Sequence, residues 1–189
     1  AFTLTNYCEG TANSASGITT PGGTFVFNPL PTDGASIDAS AGSITNGIGG
    51  TTYTVEYTTN GACPDSETHT VTVHELPTIS GSEVCIGASV QLTASGTPAA
   101  TSPWTSSNPA IATITNSGLV NGLATGTSII TFTNSNGCAS TYSLDVVNSP
   151  TISGNLIICS GGTSQLTGSG TPDASNPWTS SDPAIATVS

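Results

Sequence analysis

Short runs of alternating apolar and polar side chains recur along this chain: Thr24–Phe27, Thr52–Tyr57, Thr68–Val73, Val90–Ala94, Ile129–Thr133 and Tyr142–Val146. A period of two turns every second side chain to one face, the signature of a strand with one side against a core. Turn formers stand between the runs, among them Pro21-Gly22-Gly23, Asp33-Gly34, Asn46-Gly47, Asn60-Gly61, Asn121-Gly122 and Asn136-Gly137. No stretch of about ten residues has the apolar spacing of an amphipathic helix. Many short strands with frequent turns predict an all-β fold built from two-sheet sandwiches, about seven strands to a module.

The pattern repeats on a longer scale. From Pro77 the chain reads PTISGSEVCIGASVQLTASGTPAATSPWTSSNPAIATIT, and from Pro150 PTISGNLIICSGGTSQLTGSGTPDASNPWTSSDPAIATVS. The same 74-residue offset separates Cys85 from Cys159 and Trp104 from Trp178, and one inserted residue near Leu156 explains the offset of 73 at the prolines. Residues 1–76 form a more distant copy: Cys8-Glu9-Gly10 matches Cys85-Ile86-Gly87, and Asn60-Gly61-Ala62-Cys63 matches Asn136-Gly137-Cys138. The expected modules are 1–76, 77–149 and 150–189. The last is incomplete, because the second copy stops at Ser189 where the first continues into two more strands, Ser128–Asn134 and Ala139–Val147. This predicts a polypeptide that runs on past Ser189, or a third module completed by a strand from a neighbour. Pro77 and Pro150 stand in the short linkers Glu75–Thr78 and Val147–Thr151 and stiffen them by fixing φ.

Five cysteines, Cys8, Cys63, Cys85, Cys138 and Cys159, lack a metal-binding spacing and point to disulfides in an oxidising compartment. Modules of this size have small cores that benefit from a covalent staple. Both complete copies carry two cysteines at near-equal spacing, 55 residues from Cys8 to Cys63 and 53 from Cys85 to Cys138. The expected bridges are therefore Cys8–Cys63 and Cys85–Cys138, with the partner of Cys159 beyond Ser189. Geometry raises an alternative. If Cys85 sits at an early turn and Cys138 at the last hairpin, a sandwich puts them at opposite ends, and a disulfide needs Cα atoms within about 7 Å. A bridge between neighbouring modules, such as Cys8 to Cys138, would then replace them.

The segment Pro103-Trp104-Thr105-Ser106-Ser107-Asn108-Pro109-Ala110-Ile111-Ala112-Thr113, then Gly118-Leu119-Val120 and Gly126-Thr127-Ser128-Ile129-Ile130-Thr131, resembles the bacterial Ig-like (Big) domain. That family reads W-x-S-S-N-P-x-[IV]-A-T, then G-L-V, then G-T-x-x-I-T. The match covers residues 100–147 and recurs at 177–188. The cysteine frame and the Thr/Asn/Gly-rich style are similar to repeats of the giant motility adhesins (SprB-type) of gliding Bacteroidota. The resemblance implies tandem immunoglobulin-like β-sandwich modules on a bacterial cell surface, serving attachment or gliding and exported by the type IX route. Its implied partners are further Ig-like repeats of the same polypeptide, surface glycans, and outer-membrane secretion or motility proteins.

Composition narrows the remaining chemistry. The chain has no Lys or Arg against 11 Asp and Glu, so nucleic acid and anionic lipid have nothing cationic to bind. No apolar run reaches the roughly 18 residues of a spanning helix, so direct membrane insertion is not expected. Trp104 and Trp178 hold equivalent strand positions and are expected in the core of each module. His69 and His74 are five apart in one predicted strand, hence on opposite faces and unable to chelate one metal. No metal ligand set stands out. Asp33 and Asp38, flanking a loop, are the best guess for Ca²⁺, the one possible cofactor, although the acidic residues lack EF-hand spacing. No serine stands in a G-x-S-x-G elbow and no carboxylate pair has an evident cleft, so catalysis is not expected. The reading is a structural stalk segment of an extracellular adhesin. The alternatives are a carbohydrate-binding accessory module of a secreted enzyme, which calls for exposed coplanar aromatics although aromatics are only 5% of the chain, and a filament subunit completed by a neighbour's strand.

Overall fold

Alternation becomes packing most directly in the strands around residue 55. Within β5 (Thr52–Thr58), Tyr53, Val55 and Tyr57 are buried while the threonines and Glu56 face outward. The structure, a computed structural model describing residues 1–189, is all-β. Its chain divides into two compact units, Ala1–Val147 and Asn148–Ser189.

The first unit contains two separate apolar cores, each inside its own set of strands. In the first set, β1 (Tyr7–Cys8), β2 (Thr24–Phe27), β5 and β6 (Ser66–His74) form one sheet in the order β1-β6-β5-β2, beside a small hairpin of β3 (Ser36–Ile37) and β4 (Ile44–Thr45). Register sets Phe25 opposite Tyr57, Phe27 opposite Val55, and Tyr53 opposite Val71. These residues with Phe2, Ile44 and Val73 make the core. The Phe25 and Tyr57 rings lie 4.4 Å apart and Phe2 meets Phe25 edge-on at 5.3 Å. Each such buried side chain is worth about 1.5–3 kcal/mol relative to exposure.

The second set comprises β7 (Ile79–Ser80), β8 (Val84–Cys85), β9 (Ser89–Gln91), β10 (Thr93–Ala94), β11 (Trp104–Ser106), β12 (Ala112–Ile114), β13 (Leu119–Gly122), β14 (Gly126–Thr133) and β15 (Ala139–Val147). One sheet runs β11-β14-β15-β8, a second β12-β13-β9, and β10 pairs with β7. Trp104 lies opposite Phe132 in the ladder, ring centroids 4.7 Å apart, over a core of Leu92, Ala112, Val120, Ile130, Leu144 and Val146. The single strand expected over Val90–Ala94 is two. At Leu92 the ladder partner changes from β13 to β7, and the Leu92 N–H closes on the Gly118 carbonyl at 2.9 Å.

Both sets carry the same device near their start, in β1 and β8: a two-residue strand lies parallel to the last strand of its own set. Tyr7 and Cys8 face Val73 and His74; Val84 and Cys85 face Val146 and Val147. Outward sheet faces, without cations, are tied by hydroxyl and amide pairs such as Thr52–Thr72 at 2.9 Å, Ser80–Thr93 at 2.9 Å and Ser89–Asn121 at 2.6 Å.

The second unit, residues 148–189, has one hairpin, β16 (Ile152–Gly154) with β17 (Leu166–Gly168), and no buried side chain. Ile157 and Ile185 are 83% and 84% exposed. Trp178, expected in a core, is only half-buried beside Gly168, because no second sheet covers it. Its repeat mate Trp104 is 6% exposed.

Candidate functional site

The feature that sets this chain apart from a row of independent sandwiches lies between its first two strand sets. β14 and β15 are joined by the turn Asn134–Cys138. The Asn134 side-chain oxygen accepts the backbone N–H groups of Asn136 and Cys138, both at 3.0 Å. The Asn134 N–H donates to the Cys138 carbonyl at 2.9 Å, and Gly137, at φ 80°, donates to the Asn134 carbonyl at 3.0 Å. Ser135 N–H reaches the Thr97 carbonyl at 2.7 Å. A short polar side chain that caps its own turn explains why Asn stands here. Asn134 is 6% exposed and Cys138 1%.

Facing this tip is the end of β1. The Glu9 N–H donates to the His74 carbonyl at 2.9 Å, and the Cys8 carbonyl accepts the Thr11 N–H and hydroxyl at 3.0 and 2.6 Å. Cys8 and Cys138 are joined as a disulfide with Cα atoms 5.5 Å apart, across a sequence separation of 130. Beside it, a groove of about 280 Å³ is lined by His74, Glu75, Leu76, Pro77, Ser95 and Asn134. The linker through this groove is itself held: Pro77 is buried, Thr78 N–H donates to Ser95 Oγ at 2.9 Å, and Ser95 N–H donates to the Thr78 carbonyl at 3.0 Å. The arrangement is a covalent and hydrogen-bonded clamp.

The bridges favoured on spacing, Cys8–Cys63 and Cys85–Cys138, do not form. Cys138 stands at the start of β15 and Cys85 beside its last residue, so the strand's 9 residues separate them. At about 3.4 Å per residue that is about 30 Å, far beyond the reach of a disulfide. The 9 residues of β6 likewise separate Cys63 from Cys8. Cys63, Cys85 and Cys159 are bridged to no other cysteine of this chain, Cys85 half-buried and the others exposed.

The remaining candidates do not converge. Asp33 accepts the Tyr53 hydroxyl at 2.6 Å and the Ala35 N–H at 3.0 Å. Asp38 accepts the Ser40 N–H and hydroxyl and the Ala41 N–H, at 2.8, 2.7 and 2.7 Å. These bonds favour the charged carboxylates: the Tyr53 hydroxyl foremost holds Asp33 below its ordinary value, and the Ser40 hydroxyl does the same for Asp38. Both aspartates are turn and tyrosine acceptors. No group of three or more His, Cys, Asp or Glu gathers to hold a metal, so the Ca²⁺ guess finds no supporting cluster. His69 lies edge-on to Phe2 at 4.5 Å with Glu67 at 3.1 Å, while His74 lies on the opposite face.

Residues 78–143, spanning most of the second strand set, match the family model "Bacterial Ig-like domain (group 2)". The second module carries the bacterial Ig-like pattern. Among solved structures, this chain is similar to a C-terminal 282-residue fragment of intimin, crystallised with the intimin-binding domain of the translocated intimin receptor: 19% identity, 82% of this chain, 67% of that one, TM-score 0.49. Mouse cadherin-23 EC22-24 gives 14%, 78%, 63% and 0.30, and domains 1-6 of the surface layer protein SbsC give 22%, 75%, 24% and 0.28. The chain thus spans about two thirds of the intimin fragment and less of the other two. No curated protein matches it in sequence. Disulfides persist in oxidising compartments, so the Cys8–Cys138 bridge marks an extracellular type of Ig-like protein. No helix is long and apolar enough to cross a membrane.

Proposed function

We propose that this chain is a structural stalk segment of a long, repetitive bacterial cell-surface adhesin. Residues 1–76, 77–149 and 150–189 are then successive modules, and the segment holds a distal binding region away from the cell. The observation that carries this reading is the bridge from Cys8 to Cys138, which joins two modules instead of stabilising one. A clamp at the joint, with a buried proline beside it, is useful to a spacer that must keep its orientation and of no use to freely jointed binding modules. Attachment to surfaces, gliding motility and type IX export form the narrower version of the proposal, resting on the sequence style alone. Its partners are neighbouring Ig-like repeats, glycans, and outer-membrane secretion or motility proteins.

Antibodies against residues 1–147, applied to intact cells of the source organism, are expected to label the exterior. A strain lacking the gene is expected to lose attachment to glass or polysaccharide. Labelling only after permeabilisation, or undiminished attachment, sinks the reading.

A further inference from the structure

Three cysteines occupy one repeated backbone position. The carbonyls of Cys8, Cys85 and Cys159 each accept the N–H three residues on, from Thr11 and Ala88 at 3.0 Å and from Gly162 at 2.8 Å. The intervening glycines, Gly10, Gly87 and Gly161, lie at φ 73°, 78° and 77°. Cys8 and Cys85 share more than the turn. Each ends a two-residue strand parallel to the last strand of its module, and the following N–H closes on that strand at 2.9 Å, Glu9 on His74 and Ile86 on Val147. The other two cysteines share a second position. Cys63 and Cys138 follow an Asn-Gly pair in the hairpin between a module's last two strands, β5–β6 and β14–β15. The one bridge present joins a turn cysteine, Cys8, to the hairpin cysteine of the next module, Cys138.

We propose that Cys85 and Cys63 are the two halves of further bridges of this kind: Cys85 takes the hairpin cysteine of another Ig-like module, and Cys63 takes the turn cysteine of another. Pairing always runs from turn to hairpin, because only these two positions meet across a joint; within a module the last strand holds them apart. The bond forms when the Cys85 and hairpin thiols each give up a proton and the two sulfurs join. The two electrons pass to a disulfide oxidant, which leaves as two thiols. This chemistry does not depend on what the array carries, so it stands or falls separately from the adhesin reading.

The test is a disulfide map of the protein isolated from its source, with free thiols alkylated at acid pH before digestion without reduction. Pepsin is the protease of choice, since the chain offers trypsin no Lys or Arg. The expected result is Cys85 linked to a peptide carrying an Asn-Gly hairpin cysteine, and Cys63 linked to a Cys-x-Gly peptide, neither alkylated. Non-reducing electrophoresis then assigns the partner module: single-chain mass means the same polypeptide, and a larger species collapsed by reductant means a second copy. Alkylated Cys85 or Cys63, or a link between two Cys-x-Gly peptides, overturns the proposal. In a Cys85→Ser variant, one hairpin thiol of another module is expected to become alkylatable while Cys8–Cys138 stays bonded. Release of the Cys138 thiol instead contradicts the pairing rule.

Discussion

Asp33 and Asp38 hold the loops of the first module by accepting hydrogen bonds as anions, and this gives the module a directional response to acid. Both carboxyls sit below the ordinary value of 3.8 in the folded chain. A lowered folded pKa supplies stability that is present above the unfolded value and is lost as pH falls through the folded one. Thermal unfolding followed from pH 6 to pH 2 is expected to show a midpoint that declines below about pH 4. The decline should be shallower in Asp33→Asn, and shallower still with Asp38→Asn added. An unchanged acid limb in the double variant refutes the assignment. The same residues show what spacing alone leaves out: acidic side chains flanking a loop look like cation ligands in sequence, and the structure adds that both accept backbone N–H and hydroxyl donors within their own module. Trp104 and Trp178 have the same neighbours in sequence, and only the sheet folded over Trp104 makes it a core residue.

At the scale of elements, period-two patterning located the long strands because one face of each is buried against a core. The break at Leu92 was not legible, since Val90, Leu92 and Ala94 keep their alternation while the hydrogen-bonding partner changes. The bridge was legible only as the alternative to the pairings that spacing favours, for a related reason. Spacing counts the residues between Cys85 and Cys138 but does not say at which end of β15 each one lies; the parallel pairing of Val84 and Cys85 with Val146 and Val147 decides that. The turn after Cys8 is an element in its own right. A Cβ built on Gly10 meets no atom within 4 Å, so substitution there tests backbone conformation alone. Gly10→Val places a branched side chain at positive φ, at a cost of about 1–2 kcal/mol. The first module should unfold about 4–16 °C lower, and the reduced protein should re-form Cys8–Cys138 more slowly. Equal midpoints and equal rates in the variant exclude the role given to this turn.

For the molecule as a whole, the bridge changes the route by which a pulling force travels. Load applied at the two ends passes from Cys8 through sulfur to Cys138, so the backbone between them carries almost none of it even if its strands come apart. With a separation of 130 residues, the slack held in that closed loop is about 430–470 Å of extended chain. Stretching single molecules before and after reduction should reveal this hidden length as extra extension that appears only once the sulfurs are parted. Equal extension in both states means the loop was never closed. A tether built this way resists lengthening by a covalent bond instead of by the mechanical strength of its sheets, and the reducing power of its surroundings sets how far it can stretch.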